Sequence, residues 1–140
     1  MKLEERKQKE KELHNLLREE GLKLDKSKYE YYTSNKKFYS VVRSSRAFVN
    51  KWLLQRCQNK RVLDYCCGDG GISVFLAKNG AEAIGIDISE VSVQNARQNA
   101  VREGVDKNTS FFVMDAEALK FEDDYFGIII CSGILHHLDI

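Results

Sequence analysis

Three carboxylates placed behind apolar runs, and a glycine-rich turn after the first of them, are the residues whose types and spacing could do chemistry. Residues 62–71 read VLDYCCGDGG, with Asp64 followed by Gly68, Gly70 and Gly71. Asp87 closes the run IGID, Asp115 closes FFVMD, and Ser132 with Gly133 follows IIIC. Glycines let a ligand come close to the backbone, and a helix opening behind them offers its first amides to a negative group. Asp87 can accept hydrogen bonds from both hydroxyls of a ribose, the task of an acid at the end of the second strand in nucleotide folds. Asp115 can accept from an exocyclic amine such as that of adenine, with the Ala116 amide donating to a ring nitrogen. Together these positions describe an adenosine site. Each acid also has a plainer role open to it: Asp115 as the N-cap of a helix over AEALK, Asp87 as a turn residue before Ser89. A metal held by the three acids is disfavoured, because they lie on separate strands with no histidine or further acid at ligand spacing.

Such residues need elements to position them, and the second half of the chain supplies a regular alternation. Arg61 to Cys66 reads as a first strand, Gly70 to Asn79 as a helix that Gly80 can end, and Ala83 to Ile88 as a second strand. Ser89 can cap a helix running to a stop at Gly104. Ser110 to Met114 and Gly127 to Cys131 follow as third and fourth strands, the last carrying Ile128, Ile129 and Ile130 in a row. Near-continuous apolar strands are those covered on both faces, as in parallel sheets. The fold class is therefore α/β, a Rossmann-like doubly wound parallel sheet, and ligands of such sheets bind beyond the carboxyl ends of the strands.

Upstream, residues 1–28 are dense in Lys, Arg and Glu, with only Leu13, Leu16 and Leu17 as a short apolar face, and read as a solvated helix or frayed arm. Residues 29–60 are rich in aromatic and aliphatic side chains, with Phe48, Val49, Trp52 and Leu53 at helical spacing, and read as an amphipathic helix packing on the core. Because a segment ahead of a strand–turn–helix unit can fold over its mouth, Tyr31, Tyr39 and Arg43 are ligand candidates there. The core is expected over residues 61–140.

The chain has 140 residues, enough for one compact domain, and a net charge of +1, which provides no global field for nucleic acid or anionic membrane. No apolar run approaches a membrane span and the first thirty residues lack a signal-peptide stretch, so the expectation is a soluble, cytoplasmic protein. Cys57, Cys66, Cys67 and Cys131 lack paired metal-site spacing and read as reduced thiols, mostly filling space.

The stretches VLDYCCGDGG, IGIDIS, FFVMDAEAL and FGIIICSGILHHL resemble, in order and approximate spacing, the successive motifs of class I S-adenosylmethionine-dependent methyltransferases. The likeness is greatest to the small-molecule type called methyltransferase type 11 or ubiquinone/menaquinone-biosynthesis type, and SEVSVQNARQNAVREG is similar to the family's second helix. The resemblance implies S-adenosylmethionine as cofactor, S-adenosylhomocysteine as product and a small-molecule methyl acceptor, with no nucleic-acid partner. It implies that Asp64, Cys66, Gly68 and Gly70 line the methionine end. Asp87 would hold the ribose, Ile88 would pack on adenine, Asp115 and Ala116 would read its edge, and Ser132 would lie below the cofactor. Where the family pattern D-x-G-x-G-x-G has a glycine, this chain has Cys66, whose thiol either crowds the cofactor or points away. His136 and His137 follow the fourth strand near the expected acceptor position, so one is a candidate base, against a plainer reading as part of the family's LHH stretch. No metal is expected.

Family members have seven strands, and this sequence stops after the fourth. Strand four would then be an uncovered edge, which points to a fragment of a longer chain or to an edge covered by a second copy through self-association. Two other readings stay open: a cofactor-binding or dimerising module without turnover of its own, and an NAD-type Rossmann oxidoreductase. The latter fits less well, because the G-x-G-x-x-G positions read Cys66, Gly68 and Gly71.

Overall fold

The computed structural model describes residues 3–21, 36–135 and 138. Helix α1 spans Leu3–Gly21 and α2 spans Lys36–Leu54. They are followed by β1 (Arg61–Tyr65), α3 (Gly71–Ala77), β2 (Glu82–Asp87), α4 (Glu90–Arg102), a single 3₁₀ turn at Asp106–Asn108, β3 (Thr109–Val113) and β4 (Ile128–Cys131). The four strands form one parallel sheet of order β3-β2-β1-β4. Strand register sets Asp64 beside Gly85 and Ile130, and Tyr65 beside Ile86 and Cys131. All four carboxyl ends therefore meet along one edge of the sheet.

Alternation along each strand divides the core in two. Val62 and Ala83 face α3 and α4, where Val74, Leu76, Ala77, Val93, Ala96 and Ala100 are buried. Leu63, Ile84 and Ile86 face the other way, onto Met114, Phe121, Tyr125 and Phe126 from the connection between β3 and β4. Phe121, Tyr125 and Phe126 form a mutual aromatic cluster with ring centroids 4.9–6.0 Å apart. Among the described residues, this second face is covered by that cluster rather than by a helix.

Two expectations about packing need correction. The stripe of Phe48, Val49 and Trp52 does not pack on the core: Phe48 is 70% exposed and Trp52 42%, and α2 is held chiefly by Leu53, with Cys57 just beyond it. The isoleucine run of β4 is not covered on both faces either. Ile128 and Ile130 pack beside Val62, while Ile129, between them, is 57% exposed on an edge strand. Among the described residues no helix is long and apolar enough to cross a membrane.

Candidate functional site

The turn after β1 is where the backbone is most constrained. Cys66, Gly68 and Gly70 all have positive φ, at 60°, 55° and 77°. The left-handed conformation costs a residue with a Cβ roughly 1–2 kcal/mol, which gives a physical reason for a glycine at position 66 and marks Cys66 as strained. The strain aims the chain back across the sheet end, where the Cys67 amide donates to the Ile86 carbonyl at 2.8 Å. Gly70 serves packing rather than ligand access. A Cβ there would stand 2.8 Å from the Ala96 Cβ and 2.9 Å from the Phe111 ring.

Asp64 lies behind the site and not on its wall. It is 4% exposed, and its Oδ2 accepts hydrogen bonds from the Ser73 amide at 3.1 Å and the Ser73 hydroxyl at 2.7 Å. Burial raises its pKa from the ordinary carboxyl value, opposed by the two Ser73 bonds. Its work is to tie β1 to the first turn of α3, which holds the glycine turn in place.

Asp87 ties the next two connections together. Its Oδ2 accepts from the Gly68 amide and its Oδ1 from the Ser89 amide, both at 2.9 Å. The turn role open to it in the sequence is thus realised, and each oxygen keeps a further lone pair for a ligand. Ser89 caps α4, accepting from the Ser92 amide at 3.0 Å. Asp115 also sits in a turn, its Oδ1 accepting from the Glu117 amide at 2.9 Å, and no helix follows over AEALK. The Tyr65 hydroxyl donates to the Ala116 carbonyl at 2.5 Å, which fixes that turn against β1.

These strand ends surround one cleft of about 200 Å³. Of the residues expected at a ligand, Cys66, Gly68, Asp87, Ile88, Asp115, Ala116 and Ser132 line it. Asp64 and Gly70 do not, for the packing reasons above. Cys66 is therefore turned to the cleft, and burial, with Asp87 adding to it, pushes its thiol up to about 12, so it stays protonated at neutral pH. Tyr31, His136 and His137 lie outside the described residues, as do the side chains of Tyr39 and Arg43.

The largest departure from expectation is α1. The charged segment expected as a solvated arm lies across the cleft and contributes Arg6, Lys7, Glu10, His14 and Arg18 to its lining. Lys7 donates to Asp115 Oδ2 at 2.5 Å and sits 3.0 Å from Glu117 Oε2, while Arg6 pairs with Glu117 and Lys11 with Glu90. These carboxylates hold the Lys7 ammonium above its ordinary pKa, Asp115 most strongly. Lys11 holds the Glu90 carboxyl below its own. The Ser89 hydroxyl donates to Asn15 Oδ1 at 2.5 Å. Lys7, Lys11, Asn15 and Arg18 recur at helical spacing, a stripe that a period count over polar residues would have found.

Comparison with known proteins bears on the domain that carries this cleft. A family model described as a methyltransferase domain matches residues 62–140, more than half of the chain. The 23S rRNA (uracil(1939)-C(5))-methyltransferase RlmD of Shewanella sediminis is 45% identical over 69 residues, covering 49% of this chain and 15% of that protein. The ubiquinone biosynthesis O-methyltransferase of Coxiella burnetii is 36% identical over 81 residues, 58% of this chain and 34% of that protein. Magnesium protoporphyrin IX methyltransferase from Synechocystis PCC 6803, solved with bound SAM, superposes with a TM-score of 0.60 at 30% identity, covering 69% of this chain and 46% of that one. The chain thus spans roughly a sixth to a third of the length of these two curated relatives. With a family match over the sheet and its strand-end cleft, the chain belongs to the methyltransferase-domain family, of the class I S-adenosylmethionine-dependent type.

Proposed function

We propose that the cleft binds S-adenosylmethionine and that the chain is the cofactor-binding part of a methyltransferase acting on a small organic acceptor. The observation that carries this reading is the convergence of Cys66, Gly68, Asp87, Ile88, Asp115, Ala116 and Ser132 on one cleft at the ends of four parallel strands. The residues fit the group. Asp87 keeps acceptor capacity for two ribose hydroxyls while its turn bonds hold it still, and Ile88 with Ala116 forms an apolar wall for a purine ring. Asp115 accepts from the exocyclic amine. The Cys66–Gly68 turn takes the methionine end, and Ser132 closes the cleft from β4.

When bound, the cofactor supplies a methyl group on a sulfonium, so the protein's task is to hold an acceptor in line with it. Where the acceptor must lose a proton, His136 or His137, a few residues beyond Ser132, is the proposed base. A small-molecule acceptor is supported by the ubiquinone-biosynthesis relative, and the RlmD match makes ribosomal RNA the competing class.

Calorimetric titration of this chain with S-adenosylmethionine and S-adenosylhomocysteine, with NAD as control, tests the reading. Saturable binding of the two sulfur ligands alone is expected. Asp87→Ala should weaken it at least tenfold, since hydrogen bonds to a charged group are worth about 1.5–3 kcal/mol. Binding of NAD instead, or affinity unmoved by Asp87→Ala, would remove the cleft from this role.

A further inference from the structure

The ion pairs of α1 do not fall at random on the domain. Lys7 takes Asp115, the acid at the end of β3, and Arg18 stands over the turn after β1, its Nη2 2.8 Å from where a Gly68 side-chain carbon would lie. Between these ends, Lys11 and Asn15 fasten to Glu90 and Ser89 at the start of α4. The helix thus bridges the cleft from its β3 end to its β1 end. The space left beneath it, about 200 Å³, is smaller than the roughly 300–1,000 Å³ of clefts that enclose a drug-sized ligand.

We infer that α1 is a strap closed over the cofactor cleft, in which Lys7 occupies the Asp115 carboxylate that a purine amine would otherwise use. This rests on the cofactor reading above. One oxygen of Asp115 is committed to its own turn, accepting from the Glu117 amide, and the other receives Lys7. An amine donor arriving at that second oxygen must share it with a cation already in place, so ligand entry and the hold of Asp115 on the Lys7 end of the strap are coupled. Lys11 and Asn15 hold the middle of the helix independently of Asp115, while Glu117 pairs with both Arg6 and Lys7, so opening the Lys7 end releases those pairs as well and leaves the rest docked. The occupant that displaces Lys7 is a nucleoside with an exocyclic amine. A ligand lacking one gains nothing from opening the strap.

The test is a cycle of four 140-residue chains, wild type, Lys7→Gln, Asp115→Asn and the double variant, titrated with S-adenosylhomocysteine. Removing the competitor should tighten binding about three- to fivefold, the upper range for an ion pair near the surface. The gain should shrink to less than about twofold in the Asp115→Asn background, because the competition is gone there already. Amide exchange over residues 3–10 should rise when the ligand is added to wild type, a readout that a merely structural lysine would not move. Binding that is unchanged or weaker in Lys7→Gln, or a gain that persists without Asp115, overturns the strap while leaving the cofactor site intact. If none of the four chains binds the ligand, the cofactor reading itself fails, and the strap fails with it.

Discussion

The floor and the roof of the cleft are built from different forces. The floor is β1, β2 and the turns behind them: Leu63, Ile86 and Val62 are fully buried, Asp64 accepts from the Ser73 amide and hydroxyl, and Asp87 accepts from the Gly68 amide. The roof is α1, held by ion pairs to Asp115, Glu117 and Glu90 and by one hydrogen bond to Ser89, while Leu13 and Leu16 on the same helix stay exposed. Apolar burial is not screened by salt, and in the sheet core it is lost when the domain unfolds. Partly exposed ion pairs are worth little each and are screened by salt. The difference teaches that a rigid site can carry a cover that opens at small free-energy cost without disturbing what lies beneath it.

The largest effect that would sharpen this contrast comes from the floor. Leu63→Ala leaves a cavity between the sheet and the aromatic cluster of Phe121, Tyr125 and Phe126, and should cost about 2–5 kcal/mol. Chemical denaturation would read this as a lowered midpoint, with α1 released only because its platform has gone. A loss below about 1 kcal/mol would mean that the aromatic face is loosely packed and that the floor is not the rigid partner.

A smaller effect follows from Asp64. Its folded-state pKa is raised by burial, so in the window between its ordinary value and the raised one the native chain holds more protons than the unfolded chain. This group's contribution to stability is therefore complete below the ordinary carboxyl range and is lost as pH rises through the raised value. Asp64→Asn keeps an oxygen to accept from Ser73 but carries no charge. The melting temperature of the variant should gain on that of wild type as pH rises above the ordinary carboxyl range, followed by thermal melts at a series of pH values. Parallel curves would show that the Ser73 bonds fully compensate the buried charge.

How much of this was legible in the sequence follows the same division. The floor announces itself because burial imposes a pattern: VLD, IGID and IIIC are short apolar runs ended by turn residues, and Ser89 sits where a cap is needed. Its fine detail was less legible. Asp64 and Gly70 belong to the motif, yet one faces Ser73 and the other faces Ala96 and Phe111, and spacing alone does not say which side of a turn a side chain takes. The roof was legible only as a polar stripe at helical spacing, not as a docked helix. A helix of mixed charge carries nearly the same signature whether it is solvated or docked by ion pairs, because its partners Asp115, Glu117 and Glu90 lie about 80 to 110 residues further on. The aromatic stripe of α2 misled in the opposite direction, since Phe48 and Trp52 promise burial that the described residues do not provide.

The smallest expected effect is the one that tests the roof most directly. Lys11 pairs with Glu90 at the first residue of α4, where the helix N-terminus favours a negative charge with or without the lysine. Lys11→Gln should therefore leave α4 intact and shift the melting temperature by no more than about 2 °C. It should nevertheless speed hydrogen exchange along α1, since a tie fixing that helix to α4 has been cut while Leu13 and Leu16 beside it are exposed. Raising salt toward about 1 M, where the screening length falls to about 3 Å, should do the same to the unaltered chain and leave exchange in β1 and β2 unmoved. If α1 instead stays as protected as the strands under both treatments, the roof is held by packing rather than charge. The two regions would then open and unfold as one unit.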